Sequence, residues 1–60
     1  MNNDISPLTY TVEEVADLLG IGRSLAYDMV ARHTIPVLRL GRRLVVPRAA
    51  FQQWLLTVGT

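Results

Sequence analysis

Four arginines, Arg39, Arg42, Arg43 and Arg48, fall within the ten residues RLGRRLVVPR, although the whole chain of 60 residues holds only six basic side chains. A guanidinium is always charged, planar and able to offer two parallel N–H groups, so it pairs with phosphate, or with the O6/N7 edge of guanine, better than a lysine does. All six basic residues are Arg, a bias that genome composition alone would also produce. Gly41 supplies the backbone freedom for a sharp turn, which would put Arg42 and Arg43 at a tip with Arg39 on the strand beside it. Such a tip can lie on phosphates or enter a narrow minor groove, where negative potential attracts Arg. The blander alternative is a solvated loop whose charges only discourage edge pairing. Arg48, at the end of the run, is a further candidate phosphate contact.

The rest of the inventory offers little chemistry. His33 is the lone histidine and there is no cysteine, so neither a metal site nor a thiolate nucleophile can be assembled, and His33 reads as structural. GIG at 20–22 is too short for a phosphate-binding loop and no lysine follows it. A chain of this length buries only about 60% of its unfolded surface, which leaves no room for an enzyme cleft. No catalytic residue, metal, cofactor or small-molecule substrate is therefore expected. The lack of cysteine favours a reducing, intracellular setting. The start MNNDISPLTY has no basic region followed by an apolar stretch, and nothing approaches the roughly 18 apolar residues that span a bilayer. A cytoplasmic protein without a membrane partner is expected, as one domain over residues 8–60 behind a flexible lead-in at 1–7.

Net charge is +1, but its distribution is uneven: residues 1–17 carry Asp4, Glu13, Glu14 and Asp17 and sum to −4, while everything after them sums to +5. That polarity points to a one-sided basic surface and a polyanionic partner.

The elements that would position these charges can be read from their spacing. TVEEVADLLG has Thr11 as N-cap, Glu14 closing a capping box and Gly20 as a stop, with Tyr10 placed to pack on Val15. Val12, Val15, Ala16 and Leu19 form its inner stripe and Glu13, Glu14 and Asp17 its acidic outer face. After GIG, the segment RSLAYDMVARH gathers Leu25, Ala26, Met29 and Val30 on one side and Arg23, Ser24, Tyr27, Asp28 and Ala31 on the other. Two short amphipathic helices joined by a glycine-containing turn of about three residues are the signature of a helix-turn-helix, the second being the recognition helix. Arg23 can read guanine, while Ser24 and Tyr27 can hold phosphate oxygens. Asp28 can accept from cytosine N4 or pair with Arg32; the intrahelical pair is preferred, because an unpaired carboxylate beside phosphates is costly.

Pro36 ends the helical pattern, and VLRL and LVV around GRR read as a hairpin. A two-residue loop, Gly41-Arg42, would mix charged and apolar residues on both faces. A three-residue loop, Gly41-Arg42-Arg43, pairs Leu40 with Leu44 and Leu38 with Val46 and makes one face wholly apolar, so the hydrophobic pattern selects it. Pro47 suits the first turn of a last helix, RAAFQQWLLTV, with Ala50, Phe51, Trp54, Leu55 and Val58 inward and Leu56 outward, the latter either simply exposed or touching another copy. The sum is a mainly α fold with a small β-hairpin: a winged helix-turn-helix of helix, turn, helix, two-stranded wing and C-terminal helix.

TVEEVADLLGIGRSLAYDMV, IPVLRLGRRLVVPR and the closing FQQWL together resemble the small excisionase-type DNA-binding proteins with a MerR-like winged helix, over the stretch from about Leu8 to Leu55. The resemblance implies DNA contacts from Arg23, Ser24 and Tyr27 on the recognition helix and from Gly41, Arg42 and Arg43 on the wing. Gly22 departs from the pattern where a Ser cap is usual, Asp28 where a basic residue is frequent, and His33 where Gly is common. Proteins similar to this one, in phages and mobile elements, bind repeated sites beside an integrase and steer recombination toward excision. The implied partners are double-stranded DNA, further copies of the chain on that DNA and an integrase, in the nucleoid of a bacterial host, with cooperative binding and bending of the duplex. A small transcriptional regulator is the alternative, and a protein-interaction domain with an acidic partner is a third.

Overall fold

The computed structural model describes residues 7–58, so all but Pro7 of the expected lead-in lies outside the described residues. Six elements follow in order: β1 (Thr9–Tyr10), α1 (Val12–Leu19), α2 (Arg23–Ala31), β2 (Leu38–Leu40), β3 (Arg43–Pro47) and α3 (Arg48–Val58). A helix-turn-helix thus precedes a hairpin and a closing helix, which is the winged arrangement the spacing predicts.

Local chemistry accounts for the ends of the first helix pair. The Glu14 N–H donates to Thr11 Oγ1 at 3.0 Å and the Thr11 N–H to Glu14 Oε1 at 2.8 Å, completing the capping box of α1. At the other end the Gly20 N–H reaches the Asp17 carbonyl at 3.2 Å and the Ile21 N–H that of Ala16 at 3.0 Å, with Gly20 at φ 69. This Schellman pattern needs a left-handed residue, which glycine adopts without steric cost. Helix α2 ends on the same pair of bonds, His33 N–H to the Val30 carbonyl at 3.0 Å and Thr34 N–H to that of Met29 at 2.9 Å. Here His33 takes the left-handed position, at φ 58, and bears the strain that the common glycine would avoid. At its start α2 has Gly22 as N-cap and no side-chain bond there.

Burial is narrower than the sequence stripes predict. Val12, Val15 and Ala16 of α1, Ala26 and Val30 of α2, Ile35, Val46 of β3 and Phe51 of α3 form the core, with Tyr10, Leu19, Met29 and Trp54 among the side chains packed on it. Leu25, expected inside, is 50% exposed. Successive helical residues turn by about 100°, so once Ala26 and Val30 point at the core Leu25 falls on its margin. The same holds at the end of α3, where Leu55 and Val58 remain exposed while Phe51 is buried and Trp54 half-buried. Tyr10 meets Phe51 edge-on at 5.5 Å and Phe51 stacks with Trp54 at 5.7 Å, so Trp54 is a packing residue. Leu56 lies outward, as its helical position requires.

The sheet departs from the sequence reading in three ways. First, the hairpin register is Leu40↔Arg43, Arg39↔Leu44 and Leu38↔Val45, which leaves the two-residue loop Gly41-Arg42. Positive φ is confined to Gly41 (φ 61) in this turn, the sign pattern of a type II′ turn with glycine first. The three-residue loop would demand a left-handed conformation of Arg43. Hydrophobic patterning misleads here because all of β2 and the first half of β3 are exposed, so neither face of the outer hairpin is buried against anything. Secondly, the sheet has a third strand: β1 pairs antiparallel with β3, Thr9↔Pro47 and Tyr10↔Val46, giving the order β1-β3-β2. Thirdly, Pro47 closes β3 instead of opening α3. It has no N–H to give, and the Arg48 N–H supplies the adjacent bond to the Leu8 carbonyl at 2.9 Å.

No helix among the described residues is long and apolar enough to cross a membrane.

The paired helix ends make opposite predictions. His33→Gly should raise stability by about 0.5–1 kcal/mol and Gly20→Ala lower it by about 1–2 kcal/mol, because left-handed backbone is costly only with a Cβ. At this chain length either change moves the melting midpoint by several degrees, about 4–8 °C per kcal/mol, in a thermal scan followed by circular dichroism.

Candidate nucleic-acid interface

The strip of β3 that enters the core decides where the arginines go. Val46 is fully buried against the helices, and two residues further out the chain is already in solvent. The hairpin therefore leaves the body beside α1 and α2, and Gly41 folds it back so that Arg42 and Arg43 stand at its outer end. There they line one open groove with Arg23 and Tyr27 of α2, across from the first turns of α1. Residues nearly twenty positions apart in sequence are brought to one site by this docking alone.

The other expected contacts are spread around it. Ser24 is exposed in the first turn of α2, and Ala31 on the same helix is exposed as well. Asp28 and Arg32 form an ion pair, Arg32 Nε to Asp28 Oδ1 at 3.2 Å, and both side chains remain more than half exposed. This is the preferred intrahelical pairing, and such exposed pairs contribute little to stability. Arg39 donates from Nε to the Gly41 carbonyl at 3.3 Å, bracing the turn that carries Arg42 and Arg43. Arg48 is occupied elsewhere: its guanidinium lies over the Tyr10 ring at 4.5 Å and its Nε donates to the Thr9 carbonyl at 3.4 Å, pinning β1 to the start of α3.

Three carboxylates share the groove. Glu13, Glu14 and Asp17 line it together with Arg23, Arg42 and Arg43, so these acidic and basic residues are separate in sequence yet share one site in space. The sequence shows these side chains only as the outer face of α1; which neighbour that face meets depends on how α1 crosses α2 and where the hairpin docks. Glu14 is committed to the capping box. Glu13 is not, and it accepts a hydrogen bond from the Tyr27 hydroxyl, Oη to Oε2 at 2.6 Å. That bond holds the Glu13 carboxyl below its ordinary range, helped by the charge of Arg23, and holds the Tyr27 phenol above its own. Glu13 and Tyr27 are fourteen residues apart, a separation with no periodic signal.

Chemically, the groove brings guanidinium donors from α2 and the wing together with carboxylate acceptors from α1. Among the described residues no group of three or more His, Cys, Asp or Glu is placed to hold a metal ion.

Residues 9–57 match the family model of the helix-turn-helix domain. Over 44 residues the chain is 43% identical to a probable excisionase of Saccharopolyspora erythraea, a match covering 73% of this chain and 45% of that protein. Over 46 residues it is 35% identical to the uncharacterized protein YvgK of Bacillus subtilis (strain 168), covering 77% of this chain and 15% of the relative. The chain thus spans less than half the length of each of these relatives. No solved structure matches it.

The division of labour among the arginines can be checked by stability alone. Arg48→Ala should lower the unfolding free energy by about 1 kcal/mol, through the lost cation–π contact and its stem packing. Arg42→Ala and Arg43→Ala should leave it within about 0.5 kcal/mol, as surface substitutions away from any packed feature do. Urea titrations of the three variants separate these outcomes.

Proposed function

The chain belongs to the helix-turn-helix domain family, and from that premise we propose that it binds duplex DNA in a sequence-specific manner as an excisionase-type architectural factor. It is a DNA-binding module and not an enzyme. In this reading α2 enters the major groove, with Arg23 and Ser24 of its first turn at base edges or phosphates, while the hairpin tip lays Arg42 and Arg43 on the flanking backbone or in the minor groove. Arg39 stands behind the tip as a further cation. The observation that carries the reading is the shared groove: Arg23 and Tyr27 of α2 open on the same space as Arg42 and Arg43 of the wing.

Action in several copies follows from size and charge. A single module of this kind covers roughly 600–1,000 Å², and here few cations contribute while three carboxylates stand on the same groove. One copy should therefore bind modestly, and useful affinity comes from neighbouring copies on repeated sites, bending the duplex between them. The resemblance to a probable excisionase supports placing that assembly beside an integrase, directing recombination toward excision.

Salt tests the mode of binding. Neutralising about four phosphates should give a slope of log K against log salt near roughly −3.6 per bound copy. Arg42→Ala or Arg43→Ala should weaken binding to every duplex and reduce that slope by about one unit, whereas Arg23→Ala should also relax preference at one base pair by about 1–3 kcal/mol. Fluorescence anisotropy between 50 and 200 mM salt, an interval of about fourfold over which such slopes are resolved, reads all of these. A flat salt response with no duplex bound would favour an acidic protein partner. On a duplex with repeated sites, a single tightly held monomer with no higher species would contradict action in several copies.

A further inference from the structure

We propose that Glu13, on the first helix and outside the usual recognition surface, is a specificity-determining residue: with Tyr27 it forms an acceptor-only edge that selects an exocyclic amino group, adenine N6 or cytosine N4, in the major groove. The inference rests on the reading of α2 as the helix that faces DNA.

A phenol has one hydrogen to donate, and that of Tyr27 is given to Glu13 Oε2 over 2.6 Å. What remains on Tyr27 Oη can only accept. An ionised carboxylate is likewise acceptor-only, with lone pairs left over after one bond. The mutual hydrogen bond keeps Glu13 ionised and Tyr27 protonated at neutral pH, so this edge presents no donor at all. Both side chains line the groove together with Arg23, which lies one helical turn before Tyr27.

Acceptors of this kind meet a restricted set of partners on DNA. Phosphate oxygens, guanine O6 and N7, and thymine O4 are themselves acceptors and are repelled. The only hydrogen-bond donors on the major-groove edge are the amino groups of adenine and cytosine. The expectation that Tyr27 holds a phosphate oxygen therefore gives way to the opposite role, since donation to phosphate would first require breaking a short bond to a carboxylate. Arg23 supplies the donors that the pair lacks, so the two neighbours on one side of the groove read complementary base edges. A purely structural role is a weaker account of the bond, because both partners lie near the surface, where water competes for the same groups and the net gain is small.

The experiment uses the full chain and a duplex chosen by selection from random sequences. Each adenine is replaced singly by purine, which lacks the N6 amino group, and each cytosine by 2-pyrimidinone, which lacks N4; binding is compared for the wild type, Tyr27→Phe and Glu13→Ala. The wild type should lose roughly 10-fold at one position, the size of a hydrogen bond to a charged group; Glu13→Ala should be indifferent to the amino group there, and Tyr27→Phe, which keeps the carboxylate but removes the phenol that holds it, should lose part of the discrimination. Circular dichroism checks that the variants fold, and Tyr27→Phe retains the ring packing. Equal tolerance of every deletion by the wild type overturns the proposal. So does a Glu13→Ala protein that keeps the sensitivity, or one that binds all duplexes more tightly by the same factor, since the carboxylate would then only repel the backbone. In each of these cases DNA binding itself stands; a wild type that binds no duplex removes the reading beneath it as well.

Discussion

The fold depends on one short strand being held from three sides. β3 pairs with β1 on one edge and β2 on the other, while Val46 drops from it into a core made mostly of valine, alanine and a single phenylalanine. Among the described residues nothing covers the outer half of the projecting hairpin to correct its angle. Its direction is set by Val46 and its strand against α1 and α3, by the Tyr10–Phe51–Trp54 aromatic row behind it, and by Arg48, which ties β1 to α3 across the Tyr10 ring. The positions of Arg42 and Arg43 relative to α2 are consequences of that docking.

Much of this was legible in the sequence wherever the signal is local. Thr11, Glu14 and Gly20 mark the ends of α1 because capping is a matter of a few adjacent residues, and the structure repeats each feature. His33 stands where the resemblance makes glycine common, and the structure shows why that matters, since it takes a positive φ there. The failures share a different cause. An apolar face selects a hairpin register only if that face is buried; in the exposed outer half, the conformational needs of Gly41 decide instead. β1 is two residues long, too short to carry any period, and exists because β3 offers an edge. Leu25 and Leu55 fit helical stripes but exceed what so small a core can cover.

The interface was legible in part. Residue types and the glycine turn locate the wing arginines, and helical spacing locates Arg23 and Tyr27. The acidic wall was not legible as part of the same site, because charge counted along the chain says nothing about which segments end up facing each other. The apposition has a physical consequence: the basic surface is a mosaic, with carboxylates close enough to the guanidinium groups to moderate their attraction for any polyanion. Such a surface gives up indiscriminate affinity and gains dependence on how well the partner's donors and acceptors match it, which is how specificity arises when charged groups are set against the wrong ligand.

In the proposed mode of binding, wing and recognition helix form a single DNA-facing surface. A two-dimensional NMR titration of the labelled chain with a selected duplex tests it most directly. Backbone signals of Arg23, Tyr27, Arg42 and Arg43 should shift together along one binding curve, while those of Gln52 and Leu56 on the outer face of α3 should stay in place. Shifts centred on α3, or wing signals that remain unmoved while α2 responds, would contradict it.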